Sequence, residues 1–157
     1  MLNPTNLSDI VTKTLKRMDV SEPAVANLIR GTFAVETGLE YFADIGHFGL
    51  ALMRPREVEE MYKEIFKYNK KLSARIFTAT DIDINRISYE DFKFHLISNV
   101  AFMVAVLYTW YSIKYDEIPE NNVNALAKHY VKYYVGEQSV DLEKEFKETY
   151  LQTFVNK

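Results

Sequence analysis

Apolar positions along this chain recur at spacings of three and four residues in one segment after another, and no stretch alternates convincingly as a strand would. Ser8-Asp9 opens a segment whose Ile10, Val11, Thr14, Leu15 and Met18 keep helical spacing. Ser21 is placed to cap a second helix, with Pro23 in its first turn, Val25, Leu28, Ile29 and Phe33 on its inner stripe, and a stop near Gly38. Residues 39–54 lose the period and contain Gly46 and Gly49, which predicts a structured loop. Pro55 suits a first helical turn, and Glu57, Glu59 and Glu60 suit the positive end of the dipole; Val58, Met61, Tyr62, Ile65 and Phe66 give the buried face. Leu72, Ile76 and Phe77 predict a short helix. Ser88 with Asp91 resembles a capping box that launches the longest helix, about 89–114. Residues 121–134 and 141–155 form the last two helices, parted by Gly136.

The pattern predicts an all-α fold, one globular domain over 1–157, built around a long central buried helix. Its most apolar run, Val100 to Leu107, is far shorter than the roughly 20 residues that cross a bilayer, so it reads as core and no membrane partner is expected. The 5 Gly and 4 Pro fall between periodic segments, as punctuation of a helical domain should. At 157 residues the chain can bury a core without staples, and with no cysteine it has no disulfide, zinc-thiolate site or thiol nucleophile. A net charge of −3 with Lys and Glu interspersed excludes an electrostatically driven nucleic-acid binder. The Lys67, Lys70, Lys71 and Arg75 run reads as a solvated face. His47, His95 and His129 lack the spacing and company of metal ligands, and no phosphate loop or serine elbow is present, so no metal or cofactor is expected. Met1-Leu2-Asn3-Pro4-Thr5 has no basic or apolar leader character, from which we expect no self-directed export.

Chemistry is suggested by Ala34-Val35-Glu36-Thr37-Gly38 at a helix end, followed by Gly49-Leu50-Ala51-Leu52-Met53-Arg54-Pro55. This pair resembles the lysozyme-like lytic transglycosylases, in which a Glu-Ser-Gly-type triplet precedes a loop reading Gly-Leu-Met-Gln-x-Met-Pro; Gly49, Leu50 and Pro55 keep that spacing. The likeness is closer to a phage-borne branch, where the loop resembles Gly-Leu-Tyr-Gln-Met-Glu-Pro and Met53 also matches. Ser98-Asn99-Val100-Ala101 is similar to that branch's Thr-Asn-Leu-Ala, and Tyr130-Val131-Lys132-Tyr133-Tyr134-Val135-Gly136 partly follows its Trp-Lys-x-Tyr-Tyr-Asn-Thr. Together these cover about residues 30–136.

The resemblance implies a lysozyme-like helical domain in which Glu36 is the sole essential carboxylate and gives a proton to the leaving glycosidic oxygen, assisted by the substrate N-acetyl group. A glutamic acid keeps that proton near neutrality when apolar surroundings raise its pKa. Glu40 and Asp44, the nearby acids, have no spacing that makes either a partner. Gly49, Leu50, Met53, Tyr133 and Tyr134 would line the glycan cleft, although two tyrosines on an amphipathic helix also read as half-buried packing residues, and Trp110 reads as core. The implied partner is peptidoglycan glycan, and the implied setting a phage particle, or host cytoplasm during its assembly. Leu52 stands where the family has Gln and Val135 where it has Asn, both losses of polar groups that would position sugar or water. The alternative expectation is therefore a catalytically degenerate domain that binds other virion proteins as a structural subunit.

Overall fold

A computed structural model describes residues 2–40, 43–44, 46–114 and 117–156. Helix α1 (Pro4–Arg17) starts four residues before Ser8, because Asn3 accepts hydrogen bonds from the Thr5 and Asn6 amides at 2.8 and 3.2 Å and Pro4 takes the first position. Ser8 lies inside it and donates to the Pro4 carbonyl. Helix α2 (Pro23–Thr37) takes Glu22, not Ser21, as its cap residue and relies on Pro23 for its start. It ends at Gly38 in the left-handed conformation, as expected.

The 39–54 segment is a loop carrying a short antiparallel hairpin, β1 (Ala43–Asp44) with β2 (His47–Phe48), too short to show an alternating pattern; residues 41, 42 and 45 of it lie outside the described residues. Helix α3 (Pro55–Glu60) runs on into a wider π-type turn over Met61–Phe66. Helix α4 (Lys70–Thr80) is the short helix predicted from Leu72, Ile76 and Phe77; it buries Ser73, Ile76 and Ala79 and leaves Phe77 exposed. Helix α7 (Val123–His129) continues as a second π-type turn, Tyr130–Val135, stopped by left-handed Gly136, and α8 (Val140–Phe154) closes the chain.

The expected helix over 89–114 is instead two helices, α5 (Tyr89–Ser98) and α6 (Val100–Lys114), bent by 108° at Asn99. Asn99 leaves helical geometry at φ −126°, ψ 104°, and its Oδ1 accepts from the Phe102 amide at 3.0 Å. It therefore caps α6, and the α5 helix cannot continue through it. No single helix among the described residues is long and apolar enough to cross a membrane.

The fold is all-α apart from that hairpin. Helix α6 is its axis, with Phe102 to Leu107 and Thr109 to Tyr111 buried, and α1, α2, α4, α5 and the 130–135 turn packed around it. Each large side chain so buried contributes roughly 1.5–3 kcal/mol. Helix α8 lies along α2, where Gly31 allows the Phe146 ring to press against the backbone; a Cβ at Gly31 would stand 2.2 Å from Phe146 Cζ. That contact holds α2 in place from the side, and α2 carries Glu36.

Candidate active-site cleft

Glu36 sits on the last turn of α2, one residue before the buried Thr37 and two before the Gly38 stop, so the helix delivers its carboxyl to the protein surface half-buried. The loop facing it is fastened at three points. Thr37 Oγ1 donates to the carbonyls of Phe33 and Leu50, at 3.0 and 3.2 Å. The Tyr134 hydroxyl donates to the Ala51 carbonyl. Gly49, at φ +73°, packs so closely on the α5 end that a Cβ there would lie 2.5 Å from the Leu96 carbonyl oxygen. Between these ties the chain turns sharply, with Phe48 and Met53 exchanging backbone hydrogen bonds of 3.0 and 2.9 Å and Leu52 held at φ +47°.

The result is an open cleft of about 340 Å³ lined by Glu36, His47, Leu52, Arg54, Tyr134, Val135 and Glu137. Tyr130 donates its phenol proton to Glu36 Oε1 at 2.6 Å. The 130–135 turn thus reaches α2 through Tyr130 and the 49–53 loop through Tyr134, the two rings stacking at 5.8 Å and 20°. Arg54 bridges to Glu57 at 3.0 Å and donates to the Tyr134 carbonyl at 3.3 Å, tying the start of α3 to the same turn.

Burial raises the Glu36 pKa above its ordinary value. The Tyr130 hydrogen bond and the positive fields of Arg54 and His47 pull the other way, while Glu145 adds to the rise. Burial prevails. Tyr130 is itself pushed far up by burial and by Glu36 beside it, so it remains a donor, and burial raises Tyr134 as well. The arrangement is a carboxyl inclined to hold its proton, open to a cleft, with a hydroxyl and two basic side chains able to stabilise the carboxylate once the proton leaves.

The residues singled out in the sequence divide by place. Glu36 and Tyr134 do come together at the cleft. Leu50 and Met53 are core side chains, 0% and 2% exposed, and with Gly49 they shape the loop from behind instead of lining the cleft. Tyr133 turns away from the cleft lining, its ring 4.5 Å from that of His129. Trp110 is buried, 5.3 Å from the Tyr134 ring. Sequence reasoning gave Tyr130, His47, Arg54 and Glu137 no role of their own at the site, although Tyr130 and Arg54 stand within the motifs quoted from it. Among the described residues no group of His, Asp and Glu is arranged to hold a metal ion.

Fold and site together define a helical domain with a half-buried glutamate of raised pKa at the mouth of a loop-walled cleft. No protein-family profile, curated protein or solved structure matches the chain.

Proposed function

We propose that this chain is a lysozyme-like domain that cleaves the glycan of peptidoglycan, with Glu36 as general acid. The observation that carries the reading is the state of Glu36: half-buried, raised in pKa by that burial, and open to a cleft large enough for part of a sugar chain. Its proton would pass to the glycosidic oxygen as the bond to the anomeric carbon breaks and the oxygen of the substrate's own N-acetyl group bonds to that carbon, and the carboxylate left behind would meet the Tyr130 hydroxyl at 2.6 Å. The helix-end glutamate and following glycine loop that resemble the lytic transglycosylases support the same reaction, and their phage-borne likeness supports a setting on a virion that opens the wall during entry.

A second reading has its own observation. Leu52 and Val135, which replace polar residues of the resembled motifs, both face the cleft, so its walls offer fewer hydrogen bonds to a sugar than the motifs would provide. On that reading the domain is a catalytically silent interaction subunit of the particle. Incubation with purified peptidoglycan, followed by mass spectrometry of released muropeptides, separates the two. Cleavage that disappears in Glu36→Gln supports the enzyme, with general acid loss worth about 10²–10⁴-fold. Intact peptidoglycan with the unaltered protein refutes it.

A further inference from the structure

At the other end of α2 from Glu36 lies a second cavity, of about 280 Å³, between the start of α2, the end of α6, residues 117–119 and His129. Its floor is apolar and aromatic: Val25, Leu28 and Ile29 from α2, Tyr108 and Tyr111 from α6. Its mouth carries the exposed carboxylates Asp19, Glu22 and Glu117. Among the described residues no Lys or Arg lines it. His129 in the wall is 8% exposed and held largely neutral, its pKa pushed down to about 4 by burial. The Tyr111 hydroxyl is paired with that of Thr32 at 2.9 Å.

We propose that this cavity is a binding site for a small organic cation, a compact aromatic or aliphatic body carrying one ammonium group. Size, lining and field each bear on that choice. A dry cavity of about 150 Å³ accepts benzene, so the larger volume here takes a ring with a short arm. Tyrosine faces attract cations, and Tyr108 already holds the Arg75 guanidinium 5.6 Å from its ring centre. Arg75 does not occupy the cavity, being bound through Nη2 to the Met18 carbonyl at 2.6 Å. Carboxylates at the mouth of a low-dielectric pocket focus a negative field into it, favouring an ammonium group and repelling an anion. An apolar body then fills the floor and leaves the charge among Glu22, Glu117 and Asp19 at the rim. The site is independent of the chemistry proposed for Glu36.

The protein carries its own reporter, since the single Trp110 stands 5.4 Å from the Tyr111 ring. Phenethylamine, its neutral isostere 2-phenylethanol and its anionic counterpart 3-phenylpropionate are titrated against the full chain by Trp110 fluorescence and ligand-observed NMR. The amine should saturate at a Kd of about 0.1–1 mM, a strength ordinary for a ligand of this size, with the alcohol weaker and the acid weakest. Replacing the exposed carboxylates, Glu22→Gln and Glu117→Gln, should cost the amine up to about fivefold each and leave the alcohol unchanged. Ser112→Phe, which projects a ring into the cavity from the last turn of α6, should abolish binding while the far-UV spectrum is retained. Absence of saturable binding by all three ligands, equal affinity for amine and alcohol, or amine binding that survives a folded Ser112→Phe would each overturn the proposal.

Discussion

Removing the Tyr130 hydroxyl tests the electrostatics of the cleft without disturbing its packing. In Tyr130→Phe the ring keeps its places against Tyr134 and Phe146, at 5.8 and 5.1 Å, and only the donor to Glu36 is lost. A hydrogen bond to an ionised group is worth about 1.5–3 kcal/mol and one between neutral groups nearer 1. Because Glu36 is only half-buried, water can take up part of the loss, and we expect about 2 kcal/mol at pH 7.5, where the carboxylate is the species to be stabilised. At pH 3.5 the carboxyl is protonated and the loss should shrink to about 1 kcal/mol. For a chain of 157 residues these correspond to Tm decreases of roughly 4–8 °C and 2–4 °C.

The direction follows from linkage. Burial raises the folded pKa of Glu36 above its ordinary 4.5, so its contribution to stability is complete below that pH and fades as pH rises through the raised folded value. The Tyr130 hydrogen bond opposes that rise, so the variant should fade more steeply. Thermal unfolding followed by circular dichroism at a series of pH values measures both quantities. A Tyr130→Phe protein with an unchanged Tm at pH 7.5, or one damaged more at pH 3.5 than at pH 7.5, would refute this account of Glu36.

Other outcomes are open to the same instruments. Gly49→Ala should lose at least about 2 kcal/mol, since the residue needs positive φ and its Cβ would meet the Leu96 carbonyl; a Tm near that of the parent would show that the loop can shift. Asn99→Ala should cost about 0.5–2 kcal/mol by uncapping α6, measured by urea unfolding with m unchanged. His129 titrates near 4 in the fold and near 6.5 unfolded, so it withdraws stability as pH falls from about 6.5 to 4; His129→Phe should flatten that limb, and an unaltered profile would contradict its burial.

The legible parts of this structure are those written in local chemistry. Gly38 and Gly136 stop helices where a left-handed residue is needed, Pro55 starts one, and Ser88 accepts from the Asp91 amide at 3.1 Å. The position of Glu36 at a helix end follows from the first of these. The break at Asn99 was readable in principle, for an Asn before an apolar run is a cap signal, but apolar residues on both sides suggested one continuous helix. The burial of Leu50 and Met53 depends on ties made from far along the chain, Thr37 to the Leu50 carbonyl and Tyr134 to that of Ala51, which no local pattern contains. Tyr130 stands in the quoted motif without a role of its own, because its partner Glu36 lies 94 residues away and a period of 3.6 fails across a π-type turn, where the amide of Gly136 reaches back five residues to Val131, at 3.0 Å.

That wider turn makes the cleft sensitive to length. Each residue of a helix advances the chain by roughly 80–100° around its axis, so deleting one position between 131 and 133 while the wider winding is kept would rotate everything beyond it relative to Tyr130. Tyr130 and Tyr134 could then not both keep their grip, one on Glu36 and the other on the Ala51 carbonyl. Related chains could therefore vary the exposed side chain at Lys132 yet would have to conserve Tyr130, Tyr134 and the residue count between them, whereas an added or missing residue in the connection before Asn122 would leave the register of the turn intact.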